Sequence, residues 1–203
     1  MLEGLIQADR SLFSLLNGAH VPWLDPVMVF FSKTWVWLPL YIGIAVGLFW
    51  TSRGGTQRAS RVFFGLSGMV ALLLCFAICD RLGAFGKDFF ERLRPCWDPE
   101  LSADIHLLEK KGSRYGFPSN HAANAFGLAV LSAAIFRRRL YTVLILLWAA
   151  VVAYSRIYVG KHFPLDVCCG ALLGIVVALA MVWVLRRWCS SARYKKWLSS
   201  FKS

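Results

Sequence analysis

The chain has 203 residues, 58% of them hydrophobic and 17% charged, with nine tryptophans, fifteen phenylalanines and a formal net charge of +12. So greasy a composition excludes an ordinary soluble domain and fits a protein that crosses a membrane several times. The positive excess collects in particular loops, which argues against nucleic acid as a partner and for membrane topology as its cause.

In chain order, the N-terminal segment 1–22 repeats Leu2, Leu5, Ile6, Leu12, Phe13 and Leu16 at helical spacing, and reads as an amphipathic helix lying in the membrane interface. It lacks a basic start and a continuous apolar run, so no cleavable signal peptide is expected. The stretch "WVWLPLYIGIAVGLFW" at about 35–50 is a short span that can lengthen backwards through "PVMVFFSKT". Four further stretches, at about 62–80, 121–136, 140–155 and 165–185, approach the roughly 17–25 apolar residues that cross a bilayer as a helix. Asp80 and Arg81 read as the end of the first of these. The expectation is an all-α, polytopic membrane helical bundle of about five to six transmembrane helices. It forms one domain over 1–203, with a core at about 60–185 and a basic tail at 186–203.

Charge sets the expected orientation. Arg53, Arg58 and Arg61 fall in one connection, Arg137, Arg138 and Arg139 in another, and Arg186, Arg187, Arg193, Lys195, Lys196 and Lys202 in the tail. By the positive-inside rule these face the cytoplasm, and the connections at about 81–120 and 156–163 face the other side. Most of the six cysteines lie in apolar runs; only Cys96 lies in the outer connection, where a membrane-impermeant thiol reagent is expected to reach it, and no disulfide framework is implied.

Three polar clusters fall in the outward connections. In "KDFFERLRP" (87–95), Lys87 and Arg94 share a face if the stretch is helical, although Pro95 disfavours helix at Arg94. Taken alone, this cluster reads more simply as a solvated amphipathic interfacial helix. "GFPSNHAANAFG" (116–127) reads as a helix start, with Ser119 as N-cap and free backbone N–H groups suited to an anion; a capped helix carrying an interfacial histidine is the plainer alternative. "SRIYVGKHFPLD" (155–166) places Pro164 in the first turn of the next helix, His162 just before it and Asp166 within it. A carboxylate four residues after an imidazole can reach its ring N–H and leave the other nitrogen free. Here too a simpler reading stands, in which Asp166 favours the helix N-terminus and His162 snorkels.

Together the clusters bring Lys87, Arg94 and Arg156 as cations, Ser119 as a hydroxyl, and His121 and His162 as titratable bases. Such a set can neutralise the oxygens of a transferring phosphoryl group, attack phosphorus and protonate a leaving oxygen.

Lys87-x6-Arg94-Pro95, Pro118-Ser119-x-His121 and Ser155-Arg156-x5-His162-x3-Asp166 resemble the three ordered motifs of the type 2 phosphatidic acid phosphatase family, which shares its active-site plan with vanadium-dependent haloperoxidases. The resemblance covers about 60–185. One position departs: the second motif usually reads Pro-Ser-Gly-His, and Asn120 stands where the glycine would be. The resemblance implies a metal-independent membrane lipid phosphatase without cofactor. His162 would be the nucleophile that becomes phosphohistidine, Asp166 its orienting partner and His121 the general acid. Lys87, Arg94, Ser119, Arg156 and the backbone near Asn120 would bind phosphate. A divalent cation at His162 and Asp166 would sit among three fixed positive charges, which also argues against a metal.

Lys161 and Arg114 flank the motifs, where interface anchoring is the plainer expectation and contact with a second phosphate or a headgroup the alternative; His20 and His106 match no motif. The expected partners are a membrane lipid substrate and the bilayer, with no nucleic acid. The first-choice substrate is undecaprenyl diphosphate, with phosphatidic acid, phosphatidylglycerol phosphate and the phosphates of lipid A as alternatives. The expected location is a bacterial inner membrane with the site facing outward. A non-hydrolytic lipid transporter would need the cations but not the His162–Asp166 pair; chloroperoxidase-like chemistry is disfavoured by the membrane spans.

Overall fold

The computed structural model describes residues 2–50 and 58–190, and they form seven α-helices: α1 (Leu2–Gly18), α2 (Asp25–Ser32), α3 (Leu38–Trp50), α4 (Arg58–Phe90), α5 (Asn120–Phe136), α6 (Arg139–Tyr158) and α7 (Pro164–Ser190). The basic residues expected at 51–57 and 191–203 lie outside the described residues. Within α4, α6 and α7 the stretches Val62–Phe90, Arg139–Tyr158 and Pro164–Trp188 are each long and apolar enough to cross a membrane. α2 and α3 qualify only as a pair, with the 3-10 turn Thr34–Trp37 leading into α3 and a 73° bend at Lys33. α5 is apolar but shorter, at 17 residues.

α5 is the centre of the bundle and packs on α4, α6 and α7, while α2 lies on α6 and α3 on α4. Its closest neighbour is α7. A Cβ on Gly174 would come within 2.0 Å of the Ala123 carbonyl oxygen and one on Gly170 within 2.3 Å of that of Ser119, so only glycine lets the two backbones meet. The core is formed by Ile44, Leu72, Cys75, Leu128, Leu131, Ile145, Ala149 and Val177. Outside it, Leu66, Val70, Leu73 and Leu74 on α4, Val143, Leu144 and Leu147 on α6, and Leu172, Val176 and Leu179 on α7 are exposed stripes at helical spacing. Apolar surface that extensive belongs in lipid. Exposed Trp23 and Trp35 near one end and Trp50, Trp183 and Trp188 near the other suit the two headgroup zones.

Three expectations are corrected. α4 does not end at Asp80; it runs on to Phe90, because Arg81–Phe90 offers no proline and an apolar face through Leu82, Phe85 and Phe89. Lys87 and Arg94 therefore share no helical face: Lys87 is on the last turns of α4 and Arg94 is extended, at φ −72° and ψ 156°, as the following proline demands. Cys96 is fully buried, its Sγ 3.7 Å from the Lys111 carbonyl, so it is no exposed outer thiol.

α1 is helical as expected, but it has two occupied faces. Leu5, Ile6, Leu12 and Leu15 point outward, whereas Asp9, Phe13 and Asn17, spaced four apart, are buried against the bundle.

Candidate active site

The turn between α6 and α7 carries His162. Two amides, of Lys161 and His162, donate to the Arg156 carbonyl at 3.0 and 3.2 Å, and Gly160 takes a left-handed φ of 77° to close the turn. Phe163 is the residue before Pro164, and the Asp166 carboxylate reaches back to accept its N–H through Oδ2 at 3.0 Å, the return half of a capping box. His162 Nδ1 lies 3.5 Å from that same Oδ2, too loose to count as a hydrogen bond. The opposite nitrogen, Nε2, faces Arg94 Nη1 at 3.5 Å. A guanidinium can only donate, so Nε2 is the nitrogen with the lone pair and the proton belongs on Nδ1, facing Asp166.

His162 is 2% exposed. Its burial, and after it the charges of Arg94, Arg156, Lys87 and Lys161, push its pKa well below the ordinary imidazole range, so it is a neutral base at physiological pH.

Arg94 is placed by a short antiparallel bridge between Leu93 and Tyr115. Its N–H donates to the Arg114 carbonyl at 3.0 Å and the Gly116 N–H to the Arg92 carbonyl at 2.9 Å, while its side chain donates to the Tyr115 carbonyl and the Ser113 hydroxyl. Ser119 is fully buried and caps α5, as expected, with Oγ 3.5 Å from the Ala122 N–H; its own N–H donates to the Asp166 carbonyl at 3.0 Å, which joins the second cluster to the third. Lys87 Nζ donates to the Asn120 side-chain carbonyl. Asn120 thus meets Lys87 through its side chain, a contact that glycine at this position could not make.

Arg156 is 4% exposed; its Nη1 donates to the Ser32 hydroxyl and lies 3.4 Å from Glu109 Oε2, while its buried Nε has no partner. Lys161, considered for headgroup contact or anchoring, is also buried, and its Nζ donates to the carbonyls of Lys110 and Lys111. It pins the connection between α4 and α5 rather than facing the interface. Arg114 is exposed and contributes its backbone carbonyl. His121 lines a cavity of about 500 Å³ together with Asp80, Asn120 and Asn124 at one end, and with Ile44, Met69, Leu72, Phe76, Leu128 and Trp148 over the rest. A phosphate among the cations can therefore have its leaving group beside His121 and its hydrocarbon in an apolar space.

Sequence reading missed two residues behind His162. Arg92 donates through Nη1 to Asp166 Oδ1 at 2.8 Å and through Nη2 to Asp9 Oδ2, and its guanidinium stacks 4.6 Å over the Phe163 ring. Asp9 Oδ1 in turn accepts the Leu165 N–H at 2.8 Å, so α1 caps the N-terminus of α7 from outside the core. The signal for Arg92 was Pro95: an extended approach puts residues 92 and 94 on one side of the chain. For Asp9 no local signal existed.

Comparison with known proteins agrees with this fold. Residues 68–189 match the PAP2 superfamily. The chain is 34% identical over 178 residues to the lipid A 4'-phosphatase of Porphyromonas gingivalis, covering 87% of this chain and 72% of that protein. It is 29% identical over 183 residues to the undecaprenyl-diphosphatase of Sulfolobus acidocaldarius, covering 89% and 80%. The crystal structure of Aquifex aeolicus LpxE superposes with a TM-score of 0.65 at 30% identity, over 85% of this chain and 93% of that one. A match across more than half the chain, with the three clusters brought to one end of a helical membrane bundle, means that the protein belongs to the PAP2 superfamily and is a multi-pass membrane lipid phosphatase.

Proposed function

We propose that the protein hydrolyses a phosphate monoester from a phosphorylated saccharolipid of the lipid A kind through a phosphohistidine on His162. The observation that carries this reading is the opposed placement of His162: Nε2 faces Arg94 while Nδ1 faces Asp166. In the first step the Nε2 lone pair forms a bond to phosphorus as the bond from phosphorus to the leaving oxygen breaks, and His121, protonated once the bound phosphate's negative charge offsets the cations around it, gives that oxygen its proton. Asp166 offsets the positive charge that develops on the imidazole. Lys87, Arg94 and Arg156, with the amides at the α5 N-terminus beside Ser119 and Asn120, hold the phosphoryl oxygens. In the second step water attacks phosphorus, neutral His121 takes its proton, and the P–N bond breaks to return the electron pair to Nε2. Inorganic phosphate then leaves.

The relatives support a saccharolipid, since the Porphyromonas protein is named a lipid A 4'-phosphatase. Undecaprenyl diphosphate is the second reading, supported by the Sulfolobus relative. The site is proposed to face the outer side of a bacterial inner membrane, from the placement of the Arg137–Arg139 turn at the opposite end of α5 and α6.

The test is phosphate release by purified protein from lipid A, undecaprenyl diphosphate, phosphatidic acid and phosphatidylglycerol phosphate, with acid-sensitive, base-stable label sought on the protein after rapid quench of labelled substrate. Vanadate, which adopts a five-coordinate geometry, is expected to inhibit, and chelators to leave turnover intact. Loss of turnover to chelator with recovery on adding magnesium or zinc removes the metal-free mechanism.

A further inference from the structure

Asp80 stands ten residues inside α4, within the membrane-length stretch Val62–Phe90. A carboxylate within a membrane helix is costly and is kept where it binds or moves something. Oδ1 of Asp80 accepts from Asn120 Nδ2 at 3.0 Å and from Asn124 Nδ2 at 2.9 Å, two amides one turn apart on α5. The side chain remains exposed and lines the polar end of the cavity beside His121. Among the described residues no cation lies within ion-pair distance of it; Lys87, two turns further along α4, feels its charge but bonds the other end of the Asn120 amide. The amide of Asn120 fits because residue 83 is glycine: a Cβ there would fall 2.2 Å from Asn120 Oδ1.

Cations suit a phosphate, and a fixed carboxylate beside them does not. If Asp80 faced the transferring phosphoryl group it would oppose binding. Its position beside His121 puts it against the leaving group, where it accepts a hydrogen bond from a hydroxyl or amide N–H and repels a second anion. A saccharide leaving group carries such donors and no charge at that point. The leaving group of a prenyl diphosphate is itself a phosphate.

We propose that Asp80, oriented by Asn120 and Asn124, determines specificity by admitting a neutral, donor-bearing leaving alcohol and rejecting an anionic one. The proposal rests on the reading that His121 protonates the leaving oxygen. It concerns selection among substrates, whereas that reading concerns whether and how phosphate is released.

The test uses the full chain in nanodiscs, with kcat and KM for lipid A and for undecaprenyl diphosphate measured in wild type, Asp80→Asn and Asp80→Glu. Wild type is expected to favour lipid A. Asp80→Asn, nearly isosteric and uncharged, is expected to lower kcat/KM for lipid A and raise it for the diphosphate, shifting the ratio on the order of tenfold or more for one removed charge contact. Asp80→Glu keeps the charge and is expected to keep the preference. A role confined to bridging α4 and α5 would lower both activities together in Asp80→Asn. That result, an unchanged ratio, or a wild type already faster on the diphosphate overturns the proposal. Failure of the functional reading is distinct: wild type would release phosphate from neither lipid, or His162→Ala would stay active.

Discussion

Arg92 holds Asp166 at 2.8 Å through one guanidinium nitrogen and grips Asp9 through the other, so the carboxylate that faces His162 is tied to the first helix of the chain. Asp166 is fully buried, and a buried carboxylate needs such a partner to stay ionised and fixed. On the proposed mechanism Arg92 is therefore a positioning residue, and α1 belongs to the catalytic framework as well as being a membrane-facing helix.

Removing this hold is expected to lower turnover more than binding. Arg92→Gln should reduce kcat by roughly 10- to 100-fold with a much smaller change in KM, because the imidazole loses its fixed orientation while the phosphate cations remain. Asp9→Asn should cost less, and the double variant should be little worse than Arg92→Gln alone, since both act along one chain of contacts. Additive losses, read from a double-mutant cycle on folded protein, would mean that Asp9 acts elsewhere.

His162→Ala is expected to abolish phosphate release while the protein still inserts and folds. Asp166→Asn should cost about 10²–10⁴-fold, by analogy with loss of the orienting carboxylate in other histidine-dependent sites. Rapid-quench labelling separates the roles: no label on His162→Ala, and slow labelling on Asp166→Asn. Substantial turnover by folded His162→Ala would exclude it as nucleophile.

The pH dependence follows from the sign of the His162 shift. A base whose pKa is lowered stays unprotonated into acid, so the acid limb of kcat/KM should lie below the ordinary imidazole value of about 6.5. Arg94→Gln removes the largest charge contribution to that lowering. Its residual activity should show an acid limb moved upward, toward ordinary histidine. A limb that stays in place, measured over the same range, would assign the titration to another group.

Orientation is testable with thiols placed where the fold exposes them. Ala103 is exposed on the connection that carries Arg94, and Arg138 is exposed at the opposite turn. On a background lacking native thiols, Ala103→Cys should react with an impermeant reagent in intact cells given access past any outer membrane, and Arg138→Cys only after the membrane is opened. The reverse pattern would put the site in the cytosol.

The residues determined a good deal without the fold. Apolar runs of bilayer length called for a helical membrane bundle, Ser119 and Pro164 marked the starts of α5 and α7, and the spacing of His162 and Asp166 implied their mutual approach. These signals are local: a helix start depends on a few neighbouring residues, and a four-residue separation across a helix start fixes a distance. What the tertiary structure alone decided lies across long separations. Asp9 reaches Arg92 and Leu165, Ser32 reaches Arg156, and Asp80 reaches Asn120 and Asn124. Asp80 looked like a helix end because charge usually stops a membrane span, and Cys96 looked accessible because its loop is outside the bilayer. Each expectation failed for the same reason: a side chain's environment is set by the elements packed on it, and periodicity along one strand of sequence carries no information about which neighbours arrive from elsewhere.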